Sequence, residues 1–335
     1  MSAKYIIPLS ALELAVVSQG EDTGQAIERS VQVARRVESL GFTRLWLAEH
    51  HNMEHIASSA TSVLVGHIAG KTSRLRVGSG GIMLPNHAPL VIAEQFGTLE
   101  TIYPGRIDLG LGRAPGTDQL TAMALRRNNM STAFDFPNDV LELQRYFENT
   151  DQEARVRAFP GEGLRIPIYI LGSSTDSAFL AAERGLPYAF AAHFAPAQLE
   201  AAIGIYRTRF RPSKYLDRPY MIACVNVFGA DTDEEAEYLS TSLYRMFLGI
   251  VTNQRRPLQP PGPLPDLIHV PEVQEMMRRM TACTFTGDQA TLKKKLETFI
   301  ADTSIDELMV TSYIYDMEAR LHSYEVLAAA MTETT

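Results

Sequence analysis

The stretch from Gly172 to Ser177 has the composition of an anion-binding turn. It follows an apolar run typical of a buried strand (166–172) and precedes a helical pattern (175–185). A helix N-terminus presents unpaired backbone N–H groups and the positive end of the helix dipole, so the segment could bind a phosphate. The candidate contacts are Ser173, Ser174 and Ser177. The alternative is that one serine only caps the helix.

Arg113 follows another predicted strand (106–112) and is the candidate charged partner for the same phosphate. A guanidinium binds a phosphate through two parallel hydrogen bonds, which a lysine does not match. The alternative is an ordinary surface ion pair.

Three histidines follow apolar runs. His50 and His51 come after residues 43–48 and Glu49, and His193 follows residues 186–192. Adjacent residues at a strand end point to opposite sides, so only one of the pair can face a site there. Histidine is the usual acid–base group near neutral pH, and His50 is a catalytic candidate on this ground. A packed or capping role is the alternative for His193.

The run from His51 to His55 matches the zinc-peptidase pattern H-x-x-E-H. That chemistry needs both histidines on one face of a helix, whereas this run directly follows a strand and the next helical pattern begins near Ser58. We therefore expect no metal site.

Gly80 and Gly81 interrupt the apolar run at 75–84. Two glycines weaken a strand unless the backbone itself must approach something closely, and a flat ligand stacked on the main chain would need that approach. A β-bulge without a ligand is the alternative.

Strand and helix patterns alternate along the whole chain. About eight strand–helix units predict an α/β fold, specifically a single (β/α)8 TIM barrel over residues 1–335, in which residues after each strand line one face. The predicted strands are 6–15, 43–48, 75–84, 106–112, 166–172, 186–192, 221–229 and 306–312. No GxGxxG follows the first strand, which weakens the alternative of an open dinucleotide-binding sheet.

Two segments, 113–131 and 253–271, interrupt this alternation and are predicted insertion loops. The second contains six of the 18 prolines and has no apolar period. Long irregular segments in compact domains are typically lids or mobile loops, although a solvated excursion without function is the alternative.

Composition excludes several classes of protein. The 335 residues include 31 Lys and Arg against 39 Asp and Glu, a net charge of −8, which argues against nucleic acid or an anionic membrane as partner. Two cysteines cannot form a disulfide framework. No apolar run reaches about 18 residues, and the N-terminus is not a convincing signal peptide. We expect a cytoplasmic enzyme.

Four motifs in order resemble the luciferase-like flavin monooxygenases, particularly the branch related to the bacterial luciferase α-chain. They are TRLWLAEHH, VGSGGIMLPNHAPL, YPGRIDLGLGRAPG and LGSSTDSAFLAAERGLPYAFAAHF. The resemblance implies a barrel that binds reduced FMN, with His50 as the active-site histidine and a non-prolyl cis peptide at Gly80–Gly81 under the flavin ring. It also implies phosphate contacts from Arg113, Ser174 and Ser177, with main-chain contact from Ser173.

The function implied is that of a two-component monooxygenase. A separate NAD(P)H:flavin reductase would supply FMNH2, and a C4a-peroxyflavin would transfer one oxygen atom to a small organic substrate. An aldehyde, a ketone and a polyketide-like aromatic all remain open as substrates. Related proteins bind the deazaflavin F420 or bind flavin without turnover, so an F420-dependent oxidoreductase and a non-catalytic flavin-binding protein are the alternatives. A homodimer formed through the helices after strands 2 and 3 is expected by the same resemblance.

Overall fold

A closed barrel of parallel strands forms the centre of the molecule in a computed structural model that describes residues 5–114, 116–125, 135–148 and 153–333. Within these residues, eight strands close the barrel in the order β1-β2-β3-β4-β5-β6-β7-β9, and β9 returns to β1. A further strand, β8, pairs with β7 outside the ring. The strands are β1 (Leu9–Glu13), β2 (Arg44–Leu47), β3 (Arg76–Met83), β4 (Ile107–Gly112), β5 (Ile168–Gly172), β6 (Tyr188–Phe190), β7 (Met221–Gly229), β8 (Thr284–Gly287) and β9 (Glu307–Thr311).

Helices surround the barrel and connect its strands. They are α1 (Thr23–Leu40), α2 (Thr61–Ala69), α3 (Pro89–Ile102), α4 (Gln119–Leu125), α5 (Phe136–Phe147), α6 (Thr175–Arg184), α7 (Leu199–Arg209), α8 (Asp233–Val251), α9 (Pro271–Met280), α10 (Gln289–Thr303) and α11 (Met317–Met331). The ends follow local chemistry: Asp22 and Gln25 form a capping box at the start of α1, and Gly41 ends it with φ 85°. Among the helices described here, none combines the length and apolar character needed to span a bilayer.

The predicted TIM barrel is confirmed, and all eight predicted strands are barrel strands. The ninth strand, β8, was not predicted because three of its four residues are only half-buried and carry no clear alternation. The segment 113–131 was predicted as a loop, but its described part contains α4; residues 115 and 126–131 lie outside the described part.

A buried ionic network fills the barrel near the N-terminal ends of its strands. The Arg44 guanidinium lies 2.7 Å from Asp108 and 2.9 Å from Glu307, and it also donates to the Tyr169 hydroxyl at 2.6 Å. Tyr220 donates to Glu307 at 2.6 Å. Because paired, hydrogen-bonded charges occupy this end, the open space of the barrel lies at the other end.

Candidate functional site

A cavity of about 470 Å³ opens at the C-terminal ends of the strands, where the predicted site residues converge. This volume is within the range of cofactor and small-molecule sites. One half of the lining consists of glycines, serines and Arg113, and the other half consists mainly of large apolar side chains from the chain after β1, from α8 and from nearby loops. The first half includes Gly80, Gly81, Gly112, Arg113, Gly172, Ser173, Ser174 and Ser177, and the second includes Leu14, Val16, Ile56, Met246, Phe247, Ile250, Met280 and Tyr313.

The N-terminus of α6 has the features of an anion site. Ser174 is the N-cap residue with extended backbone (φ −141°, ψ 167°), yet its side chain makes no capping hydrogen bond. Ser177 is held differently, because its hydroxyl bonds the Ser174 carbonyl at 2.8 Å and the Tyr188 hydroxyl at 2.9 Å. The Thr175 N–H donates to Gln198 Oε1 at 3.0 Å, so the helix end retains the Ser174 hydroxyl and the next backbone N–H groups of the first turn for a ligand.

Arg113 forms a surface ion pair with Asp176, at 3.0 Å, on the first turn of α6. The two side chains are 49% and 63% exposed, so water screens the pair and it adds little stability. The pair brings the guanidinium to the helix end, where an anion can compete with Asp176 for it. Arg113 therefore forms a surface ion pair, and it also lines the same cavity as Ser173, Ser174 and Ser177.

Gly80 and Gly81 form part of the cavity wall through their backbone. The peptide between them is cis, and the pairing of β3 with β4 shifts register between Ser79 and Ile82. A Cβ on Gly80 would lie 2.8 Å from the Trp46 Cβ, and one on Gly81 would lie 2.8 Å from the Gly110 carbonyl. Neither position accepts a side chain, so this wall is bare main chain on which a flat ring can lie.

His50 lines the cavity and is oriented by the chain after β4. Its Nδ1 lies 3.3 Å from the Gly116 carbonyl, which places the ring proton on Nδ1 and leaves the lone pair on Nε2. Burial lowers the pKa of His50, and the positive charge of Arg255 lowers it further. The imidazole is therefore neutral at pH 7 and able to accept a proton.

His51 belongs to a separate cluster centred on the buried carboxylate of Glu49. One oxygen of Glu49 accepts from His51 and from His87, both at 2.9 Å, and the other accepts from the Met83 N–H at 3.1 Å. Burial alone would raise the pKa of Glu49, but these hydrogen bonds lower it to about 2. The cluster ties the end of β2 to the end of β3 beside His50.

The Glu49–His51–His87 cluster was missed by the sequence analysis, which considered only His51 to His55 for metal binding. The ligand atoms of the three residues lie within 4.8 Å of one another, and these residue types can bind zinc. The hydrogen bonds to the carboxylate account for their closeness. The H-x-x-E-H run itself lies in the non-helical segment between β2 and α2.

His193 also lines the cavity and is almost fully buried. Burial, together with the nearby His50, lowers its pKa to about 3, so the ring is neutral. Its Nδ1 has no hydrogen-bond partner among the residues that the structure describes. A buried ring nitrogen in this state is available to a polar group of a ligand.

The Pro-rich segment 253–271 contributes Arg255 and Arg256 to the cavity, and both were missed as site residues. The segment is tethered rather than free. Leu258 pairs with the strand-like chain after β1, donating to Val17 at 2.9 Å and accepting from Gln19 at 2.8 Å. Arg245 of α8 donates to the carbonyls of Pro260 and Pro263. The opening of the Pro-rich segment 253–271 as a lid stays a prediction.

Comparison with known sequences gives consistent matches. The profile of a family described as luciferase-like monooxygenase matches residues 9–307. A Bacillus subtilis protein, YvbT, described as uncharacterized, is 52% identical over 96% of this chain and 95% of its own. An Escherichia coli protein described as a luciferase-like monooxygenase is 48% identical over 96% of both chains. A B. subtilis N-acetyl-S-alkylcysteine monooxygenase is 36% identical over 69% of this chain and 70% of its own.

Solved structures share the fold. The crystal structure of apo-MsnO8 is 32% identical, with a TM-score of 0.88 over 98% of this chain and 100% of its own. The oxygenating constituent of 3,6-diketocamphane monooxygenase from Pseudomonas putida, in complex with FMN, is 17% identical with a TM-score of 0.71 over 97% of this chain and 98% of its own. An F420-dependent secondary alcohol dehydrogenase, in complex with an F420–acetone adduct, is 15% identical with a TM-score of 0.71 over 98% and 99%. At these two lower identities the likeness concerns the fold alone.

Proposed function

Because the chain belongs to the luciferase-like monooxygenase family, we propose that it is a two-component FMN-dependent monooxygenase that uses externally supplied FMNH2 and dioxygen. The observation that carries the proposal is the cavity, which joins an anion site at the start of α6, a wall of bare main chain at Gly80–Gly81 and a neutral His50. The anion site can hold the flavin phosphate, the main-chain wall can support the flat ring, and His50 can exchange a proton with the reacting oxygen.

The residues present fit FMN at its phosphate end and at its ring. The Ser174 hydroxyl, the backbone N–H groups of α6 and the Arg113 guanidinium would hold the phosphate, and the Gly80–Gly81 main chain would support the ring. The fold is shared by FMN-binding and F420-binding proteins. FMN is favoured because the named relatives are monooxygenases, and a deazaflavin, with carbon at ring position 5, does not activate dioxygen.

When bound, reduced FMN supplies the electrons that activate dioxygen, and the chain's residues control the surroundings of that reaction. His50 holds its Nδ1 proton against the Gly116 carbonyl and accepts a proton at Nε2 as general base, or returns it as acid. His193, neutral and buried, offers a hydrogen bond without adding charge. Large side chains such as Met246, Phe247 and Tyr313 exclude water from the other half of the cavity.

A second protein is part of the proposal. We infer that an NAD(P)H:flavin reductase supplies the reduced FMN, and the lack of a GxGxxG nicotinamide-binding fingerprint after the first strand supports this. The complete system then consists of the reductase, which oxidises NAD(P)H, and this chain, which consumes FMNH2 and dioxygen.

Isotopic labelling tests the reaction class. The chain is incubated with a flavin reductase, NADH, FMN and a panel of thioethers, aldehydes, ketones, aromatics and apolar carboxylic acids under ¹⁸O₂, a parallel incubation contains reduced F420 instead, and products are analysed by mass spectrometry. One labelled oxygen atom in the product supports monooxygenation. A product that changes only in hydrogen content, formed with F420 and not with FMNH2, would indicate an F420-dependent oxidoreductase. Flavin binding without any product from the panel would indicate a flavin-binding protein.

A further inference from the structure

The half of the cavity that the flavin does not need carries two arginines, Arg255 and Arg256. The following argument rests on the proposed function, because it assigns the flavin to the half formed by β3, β4 and β5. The remaining half is then the place for the substrate, and its charges and shape indicate what the substrate is.

The two arginines belong to a segment that contacts other strand ends than the one before the anion site of α6. Arg255 contacts the Met53 sulfur at 3.7 Å, in the chain after β2. Two residues beyond Arg256, Leu258 pairs with the chain after β1. The anion site follows β5, which is four strands from β1 in a ring of eight. Arg255 and Arg256 therefore do not serve the phosphate that Arg113 is placed to bind.

The two guanidinium groups have no carboxylate within ion-pair distance among the described residues, whereas Arg113 has Asp176. The positive charge of Arg255 instead acts on His50 and His55, and it lowers the pKa of both. An anion bound here would gain charge-assisted hydrogen bonds from the guanidinium groups. Both arginine side chains are exposed, and no carboxylate is among the described residues that line the cavity, so an anionic ligand would bring the only negative charge next to them.

The surfaces beside these arginines are apolar. Leu14, Val16, Ile56, Met246 and Ile250 line the same half of the cavity. The main chain that carries the arginines is fixed by the Leu258 pairing with Val17 and Gln19. A charged head group at the arginines would thus lie in the same cavity as this apolar wall and His50.

We propose that the substrate is an apolar carboxylic acid, whose carboxylate binds Arg255 and Arg256 and whose hydrocarbon body extends along this wall toward the flavin. Fork-shaped guanidinium groups match a carboxylate by two parallel hydrogen bonds. The wall then places a carbon or sulfur atom of the body, rather than the acid group, beside the reacting oxygen.

Calorimetric titration with two probes tests the proposal. Octanoate and methyl octanoate share a chain length and differ in charge, and each is titrated into the protein saturated with FMN. We expect octanoate to bind about tenfold more tightly than the ester, and Arg255→Gln to remove about that factor for octanoate only. Arg256→Gln is expected to weaken octanoate in the same direction. Arg218→Gln, an exposed arginine before the N-terminal end of β7, is the matched control and should leave both affinities unchanged.

Separate titration of FMN distinguishes this proposal from the proposed function. Equal affinities for the two probes, or an Arg255→Gln variant that binds octanoate normally, would overturn the carboxylate site while FMN binding stands. A loss of FMN affinity in Arg255→Gln with unchanged octanoate binding would assign the arginine to the cofactor and also overturn it. If the wild-type protein binds octanoate but no FMN, the proposed function fails by itself.

Discussion

His50 and His51 are adjacent in the chain but face different surroundings. His50 lines the cavity with its Nδ1 bound to Gly116, and His51 turns to the buried Glu49 carboxylate. Both residues lie beyond β2, which ends at Leu47, and their side chains are kept apart by these different partners. The first position is suited to proton transfer and the second to support of the strand end.

Replacement of His50 separates catalysis from cofactor binding. His50→Ala removes a positioned acid–base group, so we expect product formation to fall by about 10²–10⁴-fold. FMN affinity should be nearly unchanged, because the phosphate and ring contacts lie elsewhere. Single-turnover product yield from preformed FMNH2 measures the effect, with His51→Ala as control, which is expected to lower stability instead. Full yield from His50→Ala would transfer the catalytic role to another residue, with His193 the next to test.

Glu49 gives the fold a pH dependence of known sign. Its pKa is lowered to about 2 from an ordinary 4.5 by hydrogen bonds that outweigh burial, so its stabilisation is full above pH 4.5 and is lost as the pH falls toward 2. Glu49→Gln should lower the free energy of unfolding at pH 7 by about 2–4 kcal/mol, since the charged acceptor of two histidines becomes a neutral amide and one of its two acceptor oxygens becomes a donor. Urea unfolding between pH 7 and pH 3 measures both effects. A variant with the same acid sensitivity as the wild type would contradict this role of Glu49.

At the scale of elements, the strand-end positions were predictable and the contacts between distant segments were not. Apolar runs identify the eight barrel strands, and the barrel then places residues such as His50 and Ser174 at one face. Nothing in the local sequence indicates that His87, 36 residues after His51, meets the same carboxylate, because that contact arises from neighbouring strand ends. Arg255 reaches the cavity because the Pro-rich segment pairs with the chain after β1, a tertiary contact without a sequence signal.

If the N-terminus of α6 binds the flavin phosphate, Arg113 should bind the same phosphate. Arg113→Ala is expected to weaken FMN by about 1.5–3 kcal/mol, the range for a hydrogen bond to a charged group. Riboflavin, which lacks the phosphate, should lose much less. Dissociation constants for both flavins, from quenching of flavin fluorescence, give the comparison. Equal losses of affinity for the two flavins would show that the phosphate does not bind at this helix end.

At the scale of the whole molecule, α2 and α3 carry exposed apolar side chains on the surface where the sequence analysis expected a homodimer. Val63 is 68% exposed and Ile102 is 58% exposed, and Val91 also lies on this surface. A contiguous apolar patch on these two helices would be a site of association. The homodimer stays a prediction. Light scattering should give twice the 37.1 kDa chain mass, and the Val63→Asp/Ile102→Asp double variant should give the single mass. A monomeric wild-type protein would contradict the predicted homodimer.

The central claim is that the cavity holds reduced FMN, and anaerobic thermal unfolding with matched cofactors tests it most directly. A ligand that binds only the folded state stabilises it by about 2.7 kcal/mol at a hundredfold excess over its Kd. FMNH2 should therefore raise Tm with a saturable concentration dependence, riboflavin should raise it less, and reduced F420 should leave it nearly unchanged. A Tm raised by reduced F420 and unaffected by FMNH2 would contradict the account.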